Sequence, residues 1–372
     1  MKFYIIAGEA SGDLHASNLI REIKKLEVNS SFRCWGGDLM EKQGAHLVKH
    51  YRELAFMGFT EVIFNLRTIF KNIEFCKQDL LTNRPDVLVL VDYPGFNLRI
   101  AKFAKENGIK VFYYISPQIW AWKQSRVYHI KKYVDRMFVI LPFEKEFYER
   151  FNYKVDFVGH PLLDAIEDRR KPQIDLTQFA KDNMLGNKPI ISILPGSRKQ
   201  EVEQMLPVMA KMSTYFPEYQ FVVACVAEHS LDFYISLSKN NDLKFLYGKT
   251  YDLLEYSTAA IVTSGTATLE TALFEIPEVV CYKGGAISFQ IAKWLVKVKY
   301  ISLVNLIMDQ EIVKELIQDE FNEHTLVHEI KKLIGNTTYK NTMISNLQLL
   351  KLKLGGVGAS AKTADLMMKY LR

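Results

Sequence analysis

The sequence predicts an α/β protein built from two doubly wound, Rossmann-like domains. Short and almost purely apolar runs alternate with segments of helical periodicity along most of the chain, as expected where helices cover both faces of a parallel sheet. The 372 residues suffice for about two domains of roughly 150 residues. A polar stretch near residue 165 interrupts the alternation. We therefore expect domains over residues 1–165 and 166–355, followed by a C-terminal helix within 356–372.

The first series runs to about residue 151. Strands are predicted over 3–7, 86–92, 110–115 and 136–141, and helices over 14–26, 97–107, 126–133 and 143–151. The order in which strands and helices alternate favours a parallel sheet.

The second series begins after residue 188. Strands are predicted over 189–194, 220–226, 243–247, 259–263 and 278–282, and helices over 201–216, 231–239, 251–257, 266–274 and 360–371. Ligands of such sheets bind beyond the carboxyl ends of the strands, so the loops between strands and the following helices are the places where function is expected. We expect the two domains to enclose a cleft.

Composition excludes several classes of protein. An apolar share of 48% and a charged share of 24% are those of a globular protein, not of a disordered or fibrous one. The longest stretch without a charged residue, 256–269, has 14 residues, fewer than the roughly 20 that a spanning helix needs. The N-terminal apolar run is interpreted as a strand and not as a signal peptide.

Neither a metal site nor a nucleic-acid partner is expected. Four widely spaced cysteines and eight dispersed histidines form no zinc-binding spacing, and the cysteine usage suits a reducing cytosol. A formal charge of +6 is too small to indicate a nucleic-acid binder.

Three loops of the first domain are candidate sites. In Gly8-Glu9-Ala10-Ser11-Gly12-Asp13 the glycines allow a tight turn before a helix, and a plain capped turn is the favoured interpretation. Asp92 ends an apolar strand, where partial desolvation suits a proton acceptor, although a turn-forming Asp before Pro94 explains it equally well. The loop 115–123 carries Trp120 and Trp122, which could stack on a sugar, but packing is the default.

Two loops of the second domain predict a phosphate site. Leu194-Pro195-Gly196-Ser197-Arg198 joins a strand to a helix start, and Arg198 could hold two phosphate oxygens. Ser264-Gly265-Thr266 repeats this arrangement, with Glu270 one turn into the helix, where it could accept hydrogen bonds from a ribose. Two such loops favour nucleotide binding over two capped helices.

Six motifs together resemble the lipid-A-disaccharide synthase family, and they are spread from the first strand to at least Asn305. They are Gly8-Glu9-Ala10-Ser11-Gly12-Asp13, Ser116-Pro117-Gln118-Ile119-Trp120-Ala121-Trp122, Leu141-Pro142-Phe143-Glu144-Lys145, Gly159-His160-Pro161, Leu194-Pro195-Gly196-Ser197-Arg198 and Ser264-Gly265-Thr266-Ala267-Thr268-Leu269-Glu270.

The resemblance implies a GT-B glycosyltransferase with two Rossmann-like domains facing across a cleft and a C-terminal helix that packs back on the first domain. Its reaction would join UDP-2,3-diacylglucosamine to 2,3-diacylglucosamine 1-phosphate, giving a β(1→6)-linked disaccharide 1-phosphate and UDP, without a cofactor or metal. Asp92 would be the general base. UDP would be held by Gly196, Ser197, Arg198, Ser264, Gly265, Thr266, Glu270 and Asn305, and the acceptor loop would include Glu9, Ser11 and Trp120.

Because both substrates carry acyl chains, we expect peripheral contact with the cytoplasmic face of the inner membrane. The contact residues would be Phe56, Met57, Phe64 and Phe70, which stand among cations. A second basic-aromatic segment, 282–300, is either interfacial or part of a core.

Three other functions stay open. Another UDP-sugar GT-B enzyme could be a peptidoglycan-precursor transferase or a UDP-sugar epimerase; the epimerase would need a second acid/base partner and no acyl-binding surface. A non-catalytic nucleotide-sugar sensor would keep Arg198 and Glu270 but would not need Asp92.

Overall fold

A computed structural model describes residues 1–54, 66–169, 175–239, 242–285 and 298–372. The chain forms two compact units. Unit 1 comprises Met1–Arg169 and Leu354–Arg372, and unit 2 comprises Arg170–Lys353.

The sheet of unit 1 has seven strands in the order β3-β2-β1-β4-β5-β6-β7, and every pairing is parallel. The strands are β1 (Lys2–Ala7), β2 (Ser31–Gly36), β3 (His46–His50), β4 (Val87–Val91), β5 (Lys110–Tyr114), β6 (Arg136–Val139) and β7 (Asp156–Phe157). The helices are α1 (Ala10–Leu26), α2 (Asp38–Lys42), α3 (Leu66–Asn83), α4 (Pro94–Glu106), α5 (Ile119–Trp122), α6 (Arg126–Tyr133), α7 (Pro142–Glu149) and α8 (Leu162–Arg169), with a 3-10 turn at Tyr51–Glu53.

The centre of this sheet is its most apolar part. All five residues of β4, Val-Leu-Val-Leu-Val, are buried, as expected of a strand covered on both faces. β1 pairs with β4 up to the last pair, Ala7 with Val91. The loops that follow these two strands therefore leave the sheet side by side, at the point where the strand order reverses.

The sheet of unit 2 has six strands in the order β10-β9-β8-β11-β12-β13, again all parallel. The strands are β8 (Ile190–Leu194), β9 (Gln220–Cys225), β10 (Lys244–Tyr247), β11 (Ser257–Thr263), β12 (Glu278–Tyr282) and β13 (Lys314–Ile317). The helices are α9 (Leu176–Asp182), α10 (Lys199–Ala210), α11 (Met212–Tyr215), α12 (Leu231–Ser238), α13 (Thr250–Glu255), α14 (Thr266–Leu273), α15 (Leu303–Met308), α16 (Glu323–Gly335) and α17 (Thr337–Lys353), with a 3-10 turn at Gln318–Glu320.

Residues 354–372 return to unit 1 as helix α18 (Ala359–Leu371), which packs against α1. The Asp164 carboxylate accepts hydrogen bonds from the backbone N–H groups of Gly358 (2.6 Å) and Ser360 (2.7 Å). This carboxylate satisfies two backbone donors at the start of α18 and anchors the chain terminus to α8.

Most predicted elements are present within a few residues of their predicted bounds, but some predictions were wrong in detail. The predicted helix 201–216 is two helices, α10 and α11, and the loop expected at 115–123 contains the short helix α5. β2, β3, β7 and β13 were not predicted. β2 carries Arg33, whose guanidinium pairs with Asp79 at 2.6 Å, and this charge breaks the apolar pattern.

Candidate active site

In each unit two predicted site loops follow the two central strands. In unit 1 these loops follow β1 and β4, whereas the third predicted loop, 115–123, follows β5. In unit 2 they follow β8 and β11, where Leu194 is paired with Val262 near the strand ends. The strand order reverses between these strands, which is where doubly wound sheets leave a crevice for ligands.

Asp92 and Tyr93 begin the loop after β4 in the left-handed region, with φ values of +45° and +47°. Two consecutive non-glycine residues in this region are strained, at a cost of about 1–3 kcal/mol each. This backbone conformation is stabilised by two hydrogen bonds to the Asp92 carbonyl oxygen, which are donated by Tyr113 Oη (2.5 Å) and Asn97 Nδ2 (2.7 Å). The position of the Asp92 backbone is therefore fixed by β5 and α4.

The Asp92 carboxyl is tuned to titrate near neutrality. Burial, and after it the negative charge of Glu9, raise the pKa of Asp92 to about 7, although a hydrogen bond from the backbone of Tyr93 opposes the rise. A general base is most effective when its pKa lies near the working pH. Asp92 therefore has a pKa suited to a general base and lies directly after the carboxyl end of β4.

The loop after β1 is shaped by the ring of Tyr93. A Cβ atom at position 8 would lie 2.3 Å from Tyr93 Cγ, so only glycine fits at Gly8. Glu9 follows, partly buried, and Ser11 is exposed in the first turn of α1. Asp13 has a structural role, because its carboxylate accepts hydrogen bonds from three backbone N–H groups at the start of α2.

The two tryptophans of the loop after β5 differ in exposure. Trp120 is only 8% exposed and packs edge-to-face on Phe143, with ring centroids 4.9 Å apart. Trp122 is 49% exposed, and the Arg126 guanidinium lies 5.1 Å from its ring centroid. Trp120 is therefore a packing residue, and Trp122 is the exposed tryptophan of this pair.

A second buried carboxyl lies near this loop. Glu144 accepts hydrogen bonds from the backbone N–H groups of Ile140 (3.2 Å) and Leu141 (2.9 Å), and burial raises its pKa to about 7. Glu144 stands three residues after the N-cap position Leu141, a spacing typical of a capping carboxylate, and this spacing could have indicated its role from the sequence.

The loop after β8 brings a cation to the start of α10. Gly196 has a φ of +103°, and a Cβ there would lie 2.8 Å from Glu201 Oε2. The same carboxylate accepts a hydrogen bond from the backbone N–H of Arg198 (3.3 Å), and its other oxygen lies 3.4 Å from Arg198 Nη1. Ser197 and Arg198 are exposed, so this loop presents a hydroxyl and a guanidinium to solvent.

The loop after β11 ends in an open helix start. A Cβ on Gly265 would meet no atom within 4 Å, and Thr266 is exposed at the first position of α14. Ser264 Oγ donates to the Ile301 carbonyl oxygen (3.2 Å). Glu270 is partly buried, and its Oε1 accepts a hydrogen bond from Tyr251 Oη (2.7 Å).

The side chain of Asn305 is used for hydrogen bonds within the protein and not for direct contact with UDP. Its side chain is fully buried and bonds at both ends: Nδ2 donates to Val313 O and Glu315 Oε1 (both 2.9 Å), and Oδ1 accepts from the N–H groups of Ile312 (2.8 Å) and Val313 (3.1 Å). Contact with a nucleotide would break one of these bonds. Asn305 instead fixes the segment between α15 and β13.

One of the four predicted membrane-contact residues lies on a described helix. Phe56, Met57 and Phe64 lie outside the described residues, whereas Phe70 is 60% exposed on α3. Within the described ranges no helix is long and apolar enough to cross a bilayer. No group of three metal-ligating side chains occurs in this same part of the chain.

Comparison with known proteins agrees with this arrangement. A family model described as lipid-A-disaccharide synthetase matches residues 3–364. The chain is 35% identical over 377 residues to a lipid-A-disaccharide synthase of Geobacter sulfurreducens, covering 100% of this chain and 97% of that protein. It is 38% identical over 375 residues to the synthase of Syntrophus aciditrophicus, covering 99% and 97%.

Solved structures share the fold at low sequence identity. A UDP-GlcNAc 2-epimerase from Neisseria meningitidis, bound to UDP-GlcNAc, matches with a TM-score of 0.70 and 14% identity over 99% of this chain and 100% of that one. The glycotransferase of kitacinnamycin matches with a TM-score of 0.67 and 14% identity over 100% and 99%. These similarities show the GT-B fold. At 14% identity they do not indicate which reaction the chain catalyses.

Proposed function

Because the chain belongs to the lipid-A-disaccharide synthase family, we propose that it joins UDP-2,3-diacylglucosamine to 2,3-diacylglucosamine 1-phosphate with Asp92 as the general base. The protein is a glycosyltransferase of lipid A biosynthesis. The observation that carries the residue assignment is the Asp92 carboxyl, whose pKa of about 7 coincides with a strained position at the reversal of the strand order.

The proposed reaction is a single displacement. Asp92 accepts the proton of the acceptor's 6-hydroxyl while that oxygen bonds to the anomeric carbon of the donor. The bond from the anomeric carbon to the β-phosphate oxygen breaks, and its electron pair leaves on UDP. The configuration at the anomeric carbon is inverted, which yields the β(1→6) linkage.

We assign stabilisation of the leaving group to unit 2. The exposed Arg198 and the starts of α10 and α14 offer a positive charge and free backbone N–H groups to a diphosphate. Ser197, Gly265 and Thr266 have small side chains, which allow a phosphate to come close to the backbone N–H groups of these loops. This set supplies charge stabilisation to the departing UDP without a metal.

Purified protein incubated with both diacylglucosamine substrates tests the proposal, with UDP and the disaccharide 1-phosphate as the measured products. Asp92→Asn should reduce turnover by about 10²–10⁴-fold, the usual contribution of a general base, while UDP affinity stays at the wild-type value. Near-normal turnover in Asp92→Asn would remove Asp92 as the base. Conversion of the UDP-sugar without acceptor would support an epimerase instead.

Peripheral membrane contact is a second part of the proposal. The acyl chains of both substrates require access to a lipid surface, and α3 exposes Phe70 between the exposed cations Arg67 and Lys71, a composition typical of interfacial helices.

Sedimentation with anionic phospholipid vesicles tests this contact. Phe64→Ser combined with Phe70→Ser should lower the bound fraction, because apolar area is lost from the interface. Leu352→Ser removes an apolar side chain that is 76% exposed in unit 2 and serves as the matched control. Equal binding of wild type and the double variant would contradict membrane contact through these residues.

A further inference from the structure

Two arginines stand beside the Asp92 loop and have no part in the mechanism described above. Arg99 lies on α4, one turn after Gly95, and its Nη1 donates to the Gly95 carbonyl oxygen (3.0 Å). Arg126 begins α6, and its guanidinium lies 5.1 Å from the ring centroid of Trp122. α4 and α6 pack together, and His129 Nε2 lies 2.9 Å from the Leu98 carbonyl oxygen.

Neither arginine has a carboxylate partner among the described residues. The ion pairs of this region involve other cations, such as Lys102, which lies 3.9 Å from Glu106. Arg126 is partly buried; burial lowers its pKa, the nearby Tyr113 hydroxyl opposes this, and the like charge of Arg99 lowers it further. Arg99 is exposed, and its positive charge is close enough to the partly buried Arg126 to act on it. Two such cations, neither neutralised by a described carboxylate, favour the binding of an anion.

Arg126 is linked to the proposed base through Tyr113. Tyr113, which faces Arg126, donates through Oη to the carbonyl oxygen of Asp92 at 2.5 Å. Arg99 Nη1 donates to the carbonyl oxygen of Gly95, the second residue of α4, which follows the Asp92–Tyr93 loop directly. An anionic group held here would lie close to the hydroxyl that Asp92 deprotonates.

We propose that Arg99 and Arg126 bind the 1-phosphate of the acceptor sugar and thereby select a phosphorylated acceptor over an unphosphorylated one. The inference rests on the proposed function. In the acceptor, C1 and C5 are both bonded to the ring oxygen, so the phosphate on C1 and the hydroxymethyl group on C5 lie within one sugar ring of each other. Guanidinium groups bind phosphate oxygens in a bidentate manner, and Trp122 supports Arg126 from one side.

The test separates phosphate recognition from a structural role. In Arg126→Gln and Arg99→Gln we expect the KM for the phosphorylated acceptor to rise roughly 10- to 100-fold, the range for a lost charged hydrogen bond. The kcat and the KM for the UDP-sugar should stay within about threefold of wild type. With diacylglucosamine that lacks the phosphate, wild type and variants should have equal kcat/KM. Lys102→Gln, on the same helix, is the matched control and should leave the acceptor KM unchanged.

Two further measurements distinguish the source of the phosphate. Inorganic phosphate should compete with the acceptor in wild type and lose this effect in Arg126→Gln. Binding to phosphatidylglycerol vesicles should be the same in both proteins; a selective loss of vesicle binding would assign the arginines to a lipid headgroup and overturn the proposal. An equal loss of activity with both acceptors would also overturn it, whereas failure of wild type to form any disaccharide would refute the proposed function itself.

Discussion

Protonation of Asp92 should set the acid limb of the pH profile of sugar transfer. With a pKa of about 7, the carboxylate is half ionised at pH 7 and only about 1% ionised at pH 5. The kcat/KM should therefore fall about 100-fold between pH 8 and pH 5. An aspartate with the ordinary pKa of 3.8 would lose less than about 10% of its ionised form over that range.

Substitution of Glu9 tests why the pKa of Asp92, and with it the acid limb of the pH profile, is raised. The charge of Glu9 raises the pKa of Asp92, and burial, the larger cause, remains when that charge is removed. Glu9→Gln should therefore move the limb to lower pH without returning it to the ordinary value. Glu106→Gln removes an exposed carboxylate at the far end of α4 and should leave the limb in place.

Initial rates of UDP release, measured from pH 5 to 9 at constant ionic strength, provide the assay. The limb must appear in kcat/KM, which reports the ionisation of the free enzyme. A flat profile between pH 5 and 8 would refute the raised pKa of Asp92. A limb that is identical in wild type and Glu9→Gln would refute the electrostatic coupling.

Three further changes test other parts of the molecule. Arg198→Ala should lower kcat by about 10²–10³-fold through loss of about 2.7–4 kcal/mol of leaving-group stabilisation, and an unchanged rate of sugar transfer in single-turnover assays would contradict its assignment. Glu278 is fully buried, neither of its carboxylate oxygens has a hydrogen-bond partner among the described residues, and burial raises its pKa well above 4.5. The unfolded chain therefore releases this proton at lower pH than the folded protein, and the free energy of unfolding falls by about 1.4 kcal/mol per pH unit above 4.5 until the folded pKa is reached. Glu278→Gln should thus be stabilising in denaturant titrations at pH 8 and close to neutral in effect at pH 4.5, and a pH-independent difference would contradict this cause. Asp164→Asn should lower the stability of unit 1 by about 1–3 kcal/mol, because the charged acceptor at the start of α18 is lost, and an unchanged thermal unfolding midpoint would contradict that role.

The central strands and the loops that follow them could be predicted from the sequence. An uninterrupted run such as Val87–Val91 has few structural alternatives, since covered parallel strands require apolar residues on both faces. The edge strand β3 could not be predicted in this way. β3, His-Leu-Val-Lys-His, is largely half-buried, and its mixture of polar and apolar residues resembles a loop.

The roles of individual site residues were harder to predict because burial depends on contacts between distant parts of the chain. Trp120 and Trp122 are two residues apart, yet one is buried and the other exposed, and local sequence does not distinguish them. Asn305 resembles a ligand residue in its motif, but its amide is used by a loop that ends near β13. Only the three-dimensional partners of such groups reveal whether they are available to a substrate.

The two units place different chemistry at the same position of the same topology. In unit 1 the loops after the central strands bring two carboxyl groups, Glu9 and Asp92, close enough for one to raise the pKa of the other, which suits proton transfer. In unit 2 the equivalent loops carry Arg198 and two helix starts, which suit an anion. A sugar transferase needs both functions, a base for the acceptor and positive potential for the departing diphosphate. In the proposed reaction, Arg198 and the helix starts of unit 2 would stabilise the charge that develops on UDP, and Asp92 of unit 1 would accept the proton of the acceptor.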